Sequence, residues 1–167
     1  MASSLKSLSD FSHTTIPSGT GMRVAIIVAE WNSEVTGKLL KGAYDLLTRQ
    51  GVQETDILVY PVPGSYELIG GATMVAESAS VDAVICLGCV IQGETPHFDF
   101  ICQGVANGLG NLNIKFNMPF IFGVLTTLNQ EQALDRSGGK HGNKGEEAAV
   151  TALKMMEMQN HLLTSDV

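Results

Sequence analysis

Charge is what this sequence has least of. Asp, Glu, Lys and Arg make up 16% of it, against about a quarter in ordinary soluble domains. Arginine is scarcer still: Arg23, Arg49 and Arg136 are the only three in 167 residues, so an anion site must draw on few cations and on backbone amides. Acidic residues outnumber basic ones, 17 to 10, for a net charge of −7. That is the wrong sign for a protein that tracks nucleic-acid phosphates. Cysteine is short as well. Cys86, Cys89 and Cys102 are an odd set, too small for a disulfide framework. Cys86 and Cys89 have C-x-x-C spacing, but inside an apolar run that reads as a strand, where positions three apart face opposite sides about 10 Å apart. They read as plain buried thiols rather than a redox pair or half a zinc site. No apolar run reaches membrane length, and residues 1–20 carry no apolar segment of the signal-peptide kind. The expectation is therefore a cytoplasmic protein with no membrane contact. What is abundant is apolar residues, at 44%, which excludes disorder as the main state and predicts surface buried against other copies.

The length suits one domain. Residues 1–20 are Ser/Thr-rich without sustained periodicity and read as a flexible N-terminal arm, 21–163 as a single domain, and 164–167 as a tail. Arg23–Ala29 is a continuous β-branched run, as expected of a strand buried on both faces. Ser33 can cap a helix whose stripe is Val35, Leu39, Ala43, Leu46 and Leu47, stopped at Gly51. Further strands are expected at Ile57–Val62, Ala83–Ile91 and Phe120–Leu125. Further helices are expected at Glu67–Ser80, through Phe98–Leu112, at Asn129–Ser137 and at Gly145–Leu163. This alternation predicts a flavodoxin-like, doubly wound α/β/α sandwich around a four-stranded parallel sheet. Ligands of such sheets bind at the carboxyl ends of the strands, so the loops after the strands are where function is sought.

The first such loop holds the only tryptophan, Trp31, followed by Asn32. Trp31 is either a lid on the core or a platform for a flat ring, with Asn32 bonding polar groups of a ligand. The second is Pro63-Gly64-Ser65-Tyr66-Glu67, where Tyr66 is an aromatic wall and Glu67 either complements a helix dipole or bonds ligand hydroxyls. The third runs from Gln92 through Gly93, Glu94, Thr95 and Pro96 to His97. Thr95 and nearby amides can hold an oxyanion at a helix start. His97 is either a structural hydrogen-bonder or a proton-transfer group, since imidazole titrates near neutral pH with little tuning. The fourth, Arg136 through Lys140 and Lys144 to Gly145, is either a phosphate-recognising turn or a bland surface turn. Its spacing is not that of a P-loop, and no G-x-G-x-x-G follows a strand. No second cluster stands near His97-Phe98-Asp99 to complete a metal site, so no metal is expected.

Taken in order, these loops resemble one family. Trp31-Asn32, Pro63–Glu67, Gly93–Phe98, Pro119–Thr126 and the stretch from Glu131 through Arg136 to Gly142-Asn143-Lys144-Gly145 are similar to the corresponding segments of the lumazine synthases, over about Gly21 to His161. The resemblance implies a transferase that needs no cofactor. It condenses 5-amino-6-(D-ribitylamino)pyrimidine-2,4-dione with 3,4-dihydroxy-2-butanone 4-phosphate in riboflavin biosynthesis. Position by position, Trp31 would stack on the pyrimidine, Asn32, Ser65, Tyr66 and Glu67 would line the ribityl side, and Cys89, Val90 and Ile91 the far edge of the ring. Glu94, Thr95 and Arg136 would hold the phosphate, His97 would transfer protons, and Phe122 would come from a neighbouring subunit. Lys144 joins the substrate-binding set. Gln92 and Pro96 depart from the family's usual residues at their positions.

The same resemblance implies homopentamers with active sites between subunits. Because the Gly138–Asn143 segment carries no insertion, it also implies that pentamers close into an icosahedral shell. Gly104 with Gly108, and Ala148 with Ala152, would permit close helix approach, between subunits or within one. Association with riboflavin synthase is a further expectation. The alternatives are a riboflavin synthase of the archaeal kind on the same fold, and a flavin-binding cage that has lost the chemistry. Intact His97 and Arg136 speak against the latter.

Overall fold

The computed structural model describes Phe11 and residues 15–164. The chain alternates strand and helix: β1 (Val24–Ala29), α1 (Ser33–Arg49), β2 (Ile57–Val62), α2 (Leu68–Ser78), β3 (Ala83–Ile91), α3 (His97–Phe116), β4 (Phe120–Thr127), α4 (Gln130–Asp135), β5 (Ser137–Gly139), β6 (Gly142–Asn143) and α5 (Lys144–Thr164). The four long strands form one parallel sheet in the order β2-β1-β3-β4, the flavodoxin-like order expected. β1 and β3 lie inside it, so both faces of each are covered and both read as unbroken apolar runs.

The pleat sorts the core into two layers. Val24 and Ile26 of β1 and Ile85, Leu87 and Cys89 of β3 pack against α1 and α5. Their neighbours Ala25, Ile27, Val84 and Cys86 pack against α2 and α3. A period of two in the strands is thus met by helices on each face. Cys86 and Cys89 fall in opposite layers, as the strand reading requires. Burial pushes the Cys86 thiol up to about 12 and the Cys89 thiol up to about 11, so both are uncharged at neutral pH.

Several local features differ from expectation. Ser33 is the first helical residue of α1, and Asn32 occupies the cap position in a left-handed conformation with φ 59°. At the other end of α1, Gly51 takes φ 94° and lets Val52 N–H donate back to the Leu47 carbonyl at 3.1 Å. β4 runs two residues past Leu125. The 137–143 segment, expected as a loop, is a small antiparallel hairpin of β5 and β6. Of the expected N-terminal arm, residues 1–10 and 12–14 lie outside the described residues. Its end is fastened: Ile16 packs on the α1 and α5 layer, Pro17 and Gly19 are buried, and Gly19 N–H donates to the Gln50 carbonyl at 2.7 Å. Of the expected tail, 165–167 also lie outside the described residues. No described helix is long and apolar enough to cross a membrane.

Gly104 and Gly108 of α3 find their partners within the chain. The Tyr66 ring lies on Gly104 and the Ile69 side chain on Gly108. Ala148 and Ala152 are likewise buried in this chain's own core. On the other face, Gly145 lets α5 meet α1 so closely that a side chain there would run into the Leu39 backbone.

Candidate active site

The loop after β1 is bolted to both neighbouring strands. Glu30 N–H donates to the Val62 carbonyl at 2.8 Å and Trp31 N–H to the Pro63 carbonyl at 3.1 Å, which ties it to the end of β2. The Asn32 side chain then crosses to the end of β3, its Nδ2 donating to the Cys89 carbonyl at 2.9 Å. Asn32 was expected to bond a ligand. Its amide nitrogen instead clasps the sheet, which leaves the side-chain oxygen without a partner among the described residues. Trp31 is 69% exposed, and its indole lies beside Gly64. A methyl group on Gly64 would stand 2.8 Å from Trp31 Cε3 and 2.9 Å from Glu67 Oε2. Gly64 therefore creates the room in which the indole and the carboxylate come together. Ser65, nearly buried, rests on Gly88 of β3 in the same way, where a methyl would lie 2.6 Å from its Oγ.

These side chains surround a cavity of about 330 Å³ at the carboxyl ends of β1, β2 and β3. Trp31, Asn32, Ser65, Tyr66, Glu67, Cys89, Val90, Ile91 and His97 all line it, together with Ile101 of α3, which the sequence reading did not place among the site residues. His97 is the first residue of α3. Pro96 before it accepts from Asp99 N–H at 3.0 Å and from Phe100 N–H at 3.4 Å. The amides of His97 and Phe98 have no partner among the described residues, so the positive end of the helix is open beside the cavity. Glu94 and Thr95 sit exposed in the loop just before, and neither lines the cavity. The arrangement offers a flat apolar slot with hydroxyl, carboxylate and imidazole at its rim, next to an anion-favouring helix start.

Phe122, Arg136 and Lys144 are elsewhere. They line a second cavity of about 590 Å³ along the outer side of β4, with Thr126, Glu147 and Met155, and the two cavities share no lining residue. The β5–β6 hairpin builds this cluster. Lys144 N–H donates to the Arg136 carbonyl at 2.9 Å, and Asn143 caps α5 by accepting from Gly145 N–H at 2.8 Å while its Nδ2 donates to the Lys38 carbonyl at 3.0 Å. Lys144 Nζ pairs with Glu147 Oε2 at 2.5 Å, and Lys140 with Asp135 at 2.7 Å. The hydrogen bond that Lys140 donates to the Asp135 carboxylate raises its ammonium above the ordinary range. Arg136 makes no ion pair among the described residues. Its Nη1 is steered by the Gln132 carbonyl at 3.0 Å, so the rest of the guanidinium is available to an external anion.

The edge beside that cavity is open. Asn113 covers its start, accepting from Phe120 N–H at 2.9 Å and donating to the Phe120 carbonyl at 3.0 Å. Pro119 and Thr127 bond towards β3, so by the alternation of a strand Phe122, Val124 and Thr126 direct their backbone groups outward. The Phe122 ring is itself 44% exposed. An edge that beyond Phe120 is left unpaired among the described residues, and that carries an exposed aromatic, invites another chain.

The profile of the family described as 6,7-dimethyl-8-ribityllumazine synthase matches residues 21–160. Curated proteins of that name are similar to the chain over nearly its whole length. The one from Cytophaga hutchinsonii is 56% identical over 156 residues, 93% of this chain and 98% of its own. That from Porphyromonas gingivalis is 52% identical, covering 95% of this chain and 99% of its own. That from Parabacteroides distasonis is 50% identical, covering 93% and 98%. With the loops, the sheet order and this match in agreement, the chain belongs to the 6,7-dimethyl-8-ribityllumazine synthase family.

Proposed function

We propose that this chain condenses 5-amino-6-(D-ribitylamino)pyrimidine-2,4-dione with 3,4-dihydroxy-2-butanone 4-phosphate to 6,7-dimethyl-8-ribityllumazine, phosphate and water, at a site completed by a second copy of itself. The observation that carries the reading is the division of the side chains. The groups read as ring-binding and proton-transferring line one cavity, while Phe122, Lys144 and Arg136, whose guanidinium makes no ion pair among the described residues, line another at the outer sheet edge. Each cavity lacks what the other holds. A heterologous, head-to-tail contact supplies it and closes into a ring when repeated.

In this reading Trp31 stacks on the pyrimidine, Ser65, Tyr66 and Glu67 hold the ribityl chain, and Cys89, Val90 and Ile91 bound the ring's far edge. The oxygen of Asn32 is the atom it has left for substrate. The ketone's phosphate lies between Arg136 of the neighbour and the open amides at the start of α3, with Glu94 and Thr95 beside it. The amine attacks the ketone carbonyl and water leaves as the imine forms. Phosphate is then eliminated to leave a methyl ketone, and attack of the ribitylamino nitrogen on that carbonyl closes the second ring as a second water leaves. Every step moves protons and none needs a strong nucleophile. His97 at the rim is the group that carries them, and Cys89, the one thiol lining the cavity, is held protonated by burial.

The acting unit is then 21–163, assembled as homopentamers and further into an icosahedral shell. It works in the cytoplasm on small-molecule substrates, with riboflavin synthase as an associated partner. Incubating the purified protein with both substrates tests the reaction. Lumazine absorbance should rise together with released phosphate, and no lumazine from a folded, assembled sample would overturn the assignment. Light scattering tests the assembly: a species of pentamer mass alone, at any concentration, removes the shell and leaves the pentamer.

A further inference from the structure

One stripe of α3 faces the cavity. His97 begins it and Ile101 follows one turn on, both lining the cavity. Gly104 comes next on that stripe, seven residues or about two helical turns after His97, and the Tyr66 ring rests on it. A methyl group at Gly104 would lie 2.9 Å from Tyr66 Cε2 and 3.4 Å from Cδ2, whereas favourable carbon contacts begin near 3.5 Å. One turn further along α3, Gly108 receives Ile69, whose Cγ1 would lie 2.7 Å from a methyl there. Two residues three apart in sequence thus seat on two glycines four apart on a helix, but only Tyr66 lines the cavity. Tyr66 is half exposed and its hydroxyl has no partner among the described residues. The bare α3 backbone at Gly104 is the surface against which this aromatic wall rests.

We propose that Gly104 is a positioning residue for the ring-bearing substrate, acting through Tyr66. Its missing side chain sets how far the Tyr66 ring stands from the helix that carries His97. The inference rests on the cavity reading given above and adds a residue outside every loop motif. A methyl at 104 forces the ring to retreat by roughly 0.6 Å to reach ordinary contact. A misfit of that size in a pocket corresponds to roughly a tenfold loss for the substrate concerned. The helix itself does not suffer, because Ala is a better helix former than Gly.

The test is steady-state kinetics on the full, assembled protein. Gly104→Ala should raise KM for the ribitylaminopyrimidine roughly tenfold and leave KM for the butanone phosphate unchanged. Gly108→Ala, which displaces Ile69 instead, should keep both KM values while lowering the melting temperature. In a Tyr66→Ala background, adding Gly104→Ala should change nothing further, because the ring it displaces is gone. An unchanged pyrimidine KM in Gly104→Ala overturns the proposal, and so does a further rise in the Tyr66→Ala background. Should Gly104→Ala fail to assemble, the comparison of Tyr66→Ala with the double variant decides alone: equal KM values support it and unequal ones overturn it. Wild-type turnover is measured first. Its absence overturns the assigned reaction and this inference together, whereas normal wild-type turnover with an insensitive Gly104→Ala overturns only the inference.

Discussion

Replacing Gly64 by alanine separates the site from the fold. The new methyl would stand 2.8 Å from Trp31 Cε3, 3.0 Å from Cζ3 and 2.9 Å from Glu67 Oε2, so the indole must move by roughly 0.6 Å to restore contact. The Trp31 backbone cannot follow. Its N–H is bonded to the Pro63 carbonyl, and Asn32 beside it is clasped to the Cys89 carbonyl. The shift falls on the side-chain torsions, at a cost of about 1 kcal/mol for a rotation of some 30°. Little packing is lost with it, because the indole is mostly exposed. The expected loss of stability is therefore at most about 1 kcal/mol, or roughly 2–4 °C in melting temperature for a chain of this size. A stacking ring displaced by most of an ångström costs far more in rate, roughly tenfold to a hundredfold in kcat/KM for the pyrimidine. Trp31 is the only tryptophan, so intrinsic tryptophan emission reports on this ring alone. Titration with 6,7-dimethyl-8-ribityllumazine should quench it in the wild type and quench it weakly in Gly64→Ala. Wild-type quenching together with wild-type kcat/KM in the variant would refute the stacking role of Trp31.

Three further outcomes are expected. Arg136→Ala should remove most activity, because a guanidinium that binds phosphate in two places is not replaced by water; near-normal kcat/KM for the butanone phosphate would contradict its role. Within α1, Gly37→Ala meets open space and should stabilise by about 1 kcal/mol, whereas Gly42→Ala drives a methyl to 2.5–2.7 Å from the Asn143 amide that caps α5 and should destabilise. Thermal melts of the pair must therefore shift in opposite directions, and a common direction refutes the clasp. Above pH 9 the unfolded chain ionises its Cys86 thiol while the folded one, held up to about 12, keeps the proton. Stability contributed by that thiol is intact below pH 9 and falls as pH rises towards 12, by about 1.4 kcal/mol per pH unit. Denaturation midpoints of Cys86→Ala should show a shallower alkaline decline than the wild type, and identical slopes would contradict the burial effect.

The strands were readable because a strand covered on both faces leaves a continuous apolar run, and β1 and β3 are such runs. β4 was read two residues short because Thr126 and Thr127 carry no apolar signal, although their backbone still pairs with β3. The β5–β6 hairpin was invisible for a related reason. Ser137-Gly138-Gly139 has no side-chain alternation, and its pairing is fixed by Gly138 and Gly142 at positive φ. The loops after the strands named the residues that gather around the first cavity. The family resemblance assigned Phe122 to a neighbouring subunit, but no periodicity or motif says that Phe122 and Arg136 face away from His97 in the same chain, because that follows from where the outer edge of β4 lies. The seats of the aromatic walls were also hidden. Gly64, Gly88 and Gly104 matter for atoms they lack, and their partners Trp31, Ser65 and Tyr66 are met only in three dimensions.

The claim that one active site is shared between copies is tested most directly by mixing two damaged chains. His97→Ala loses general acid–base help, worth about a hundredfold to ten-thousandfold, and Arg136→Ala loses the phosphate clamp. If each site takes His97 from one chain and Arg136 from the next, random co-assembly of equal amounts makes about a quarter of the sites wild type in both. Co-expressed and purified as one assembly, the mixture should recover about a quarter of the wild-type rate, far above either parent. A rate no higher than the mean of the two parents would contradict the shared site.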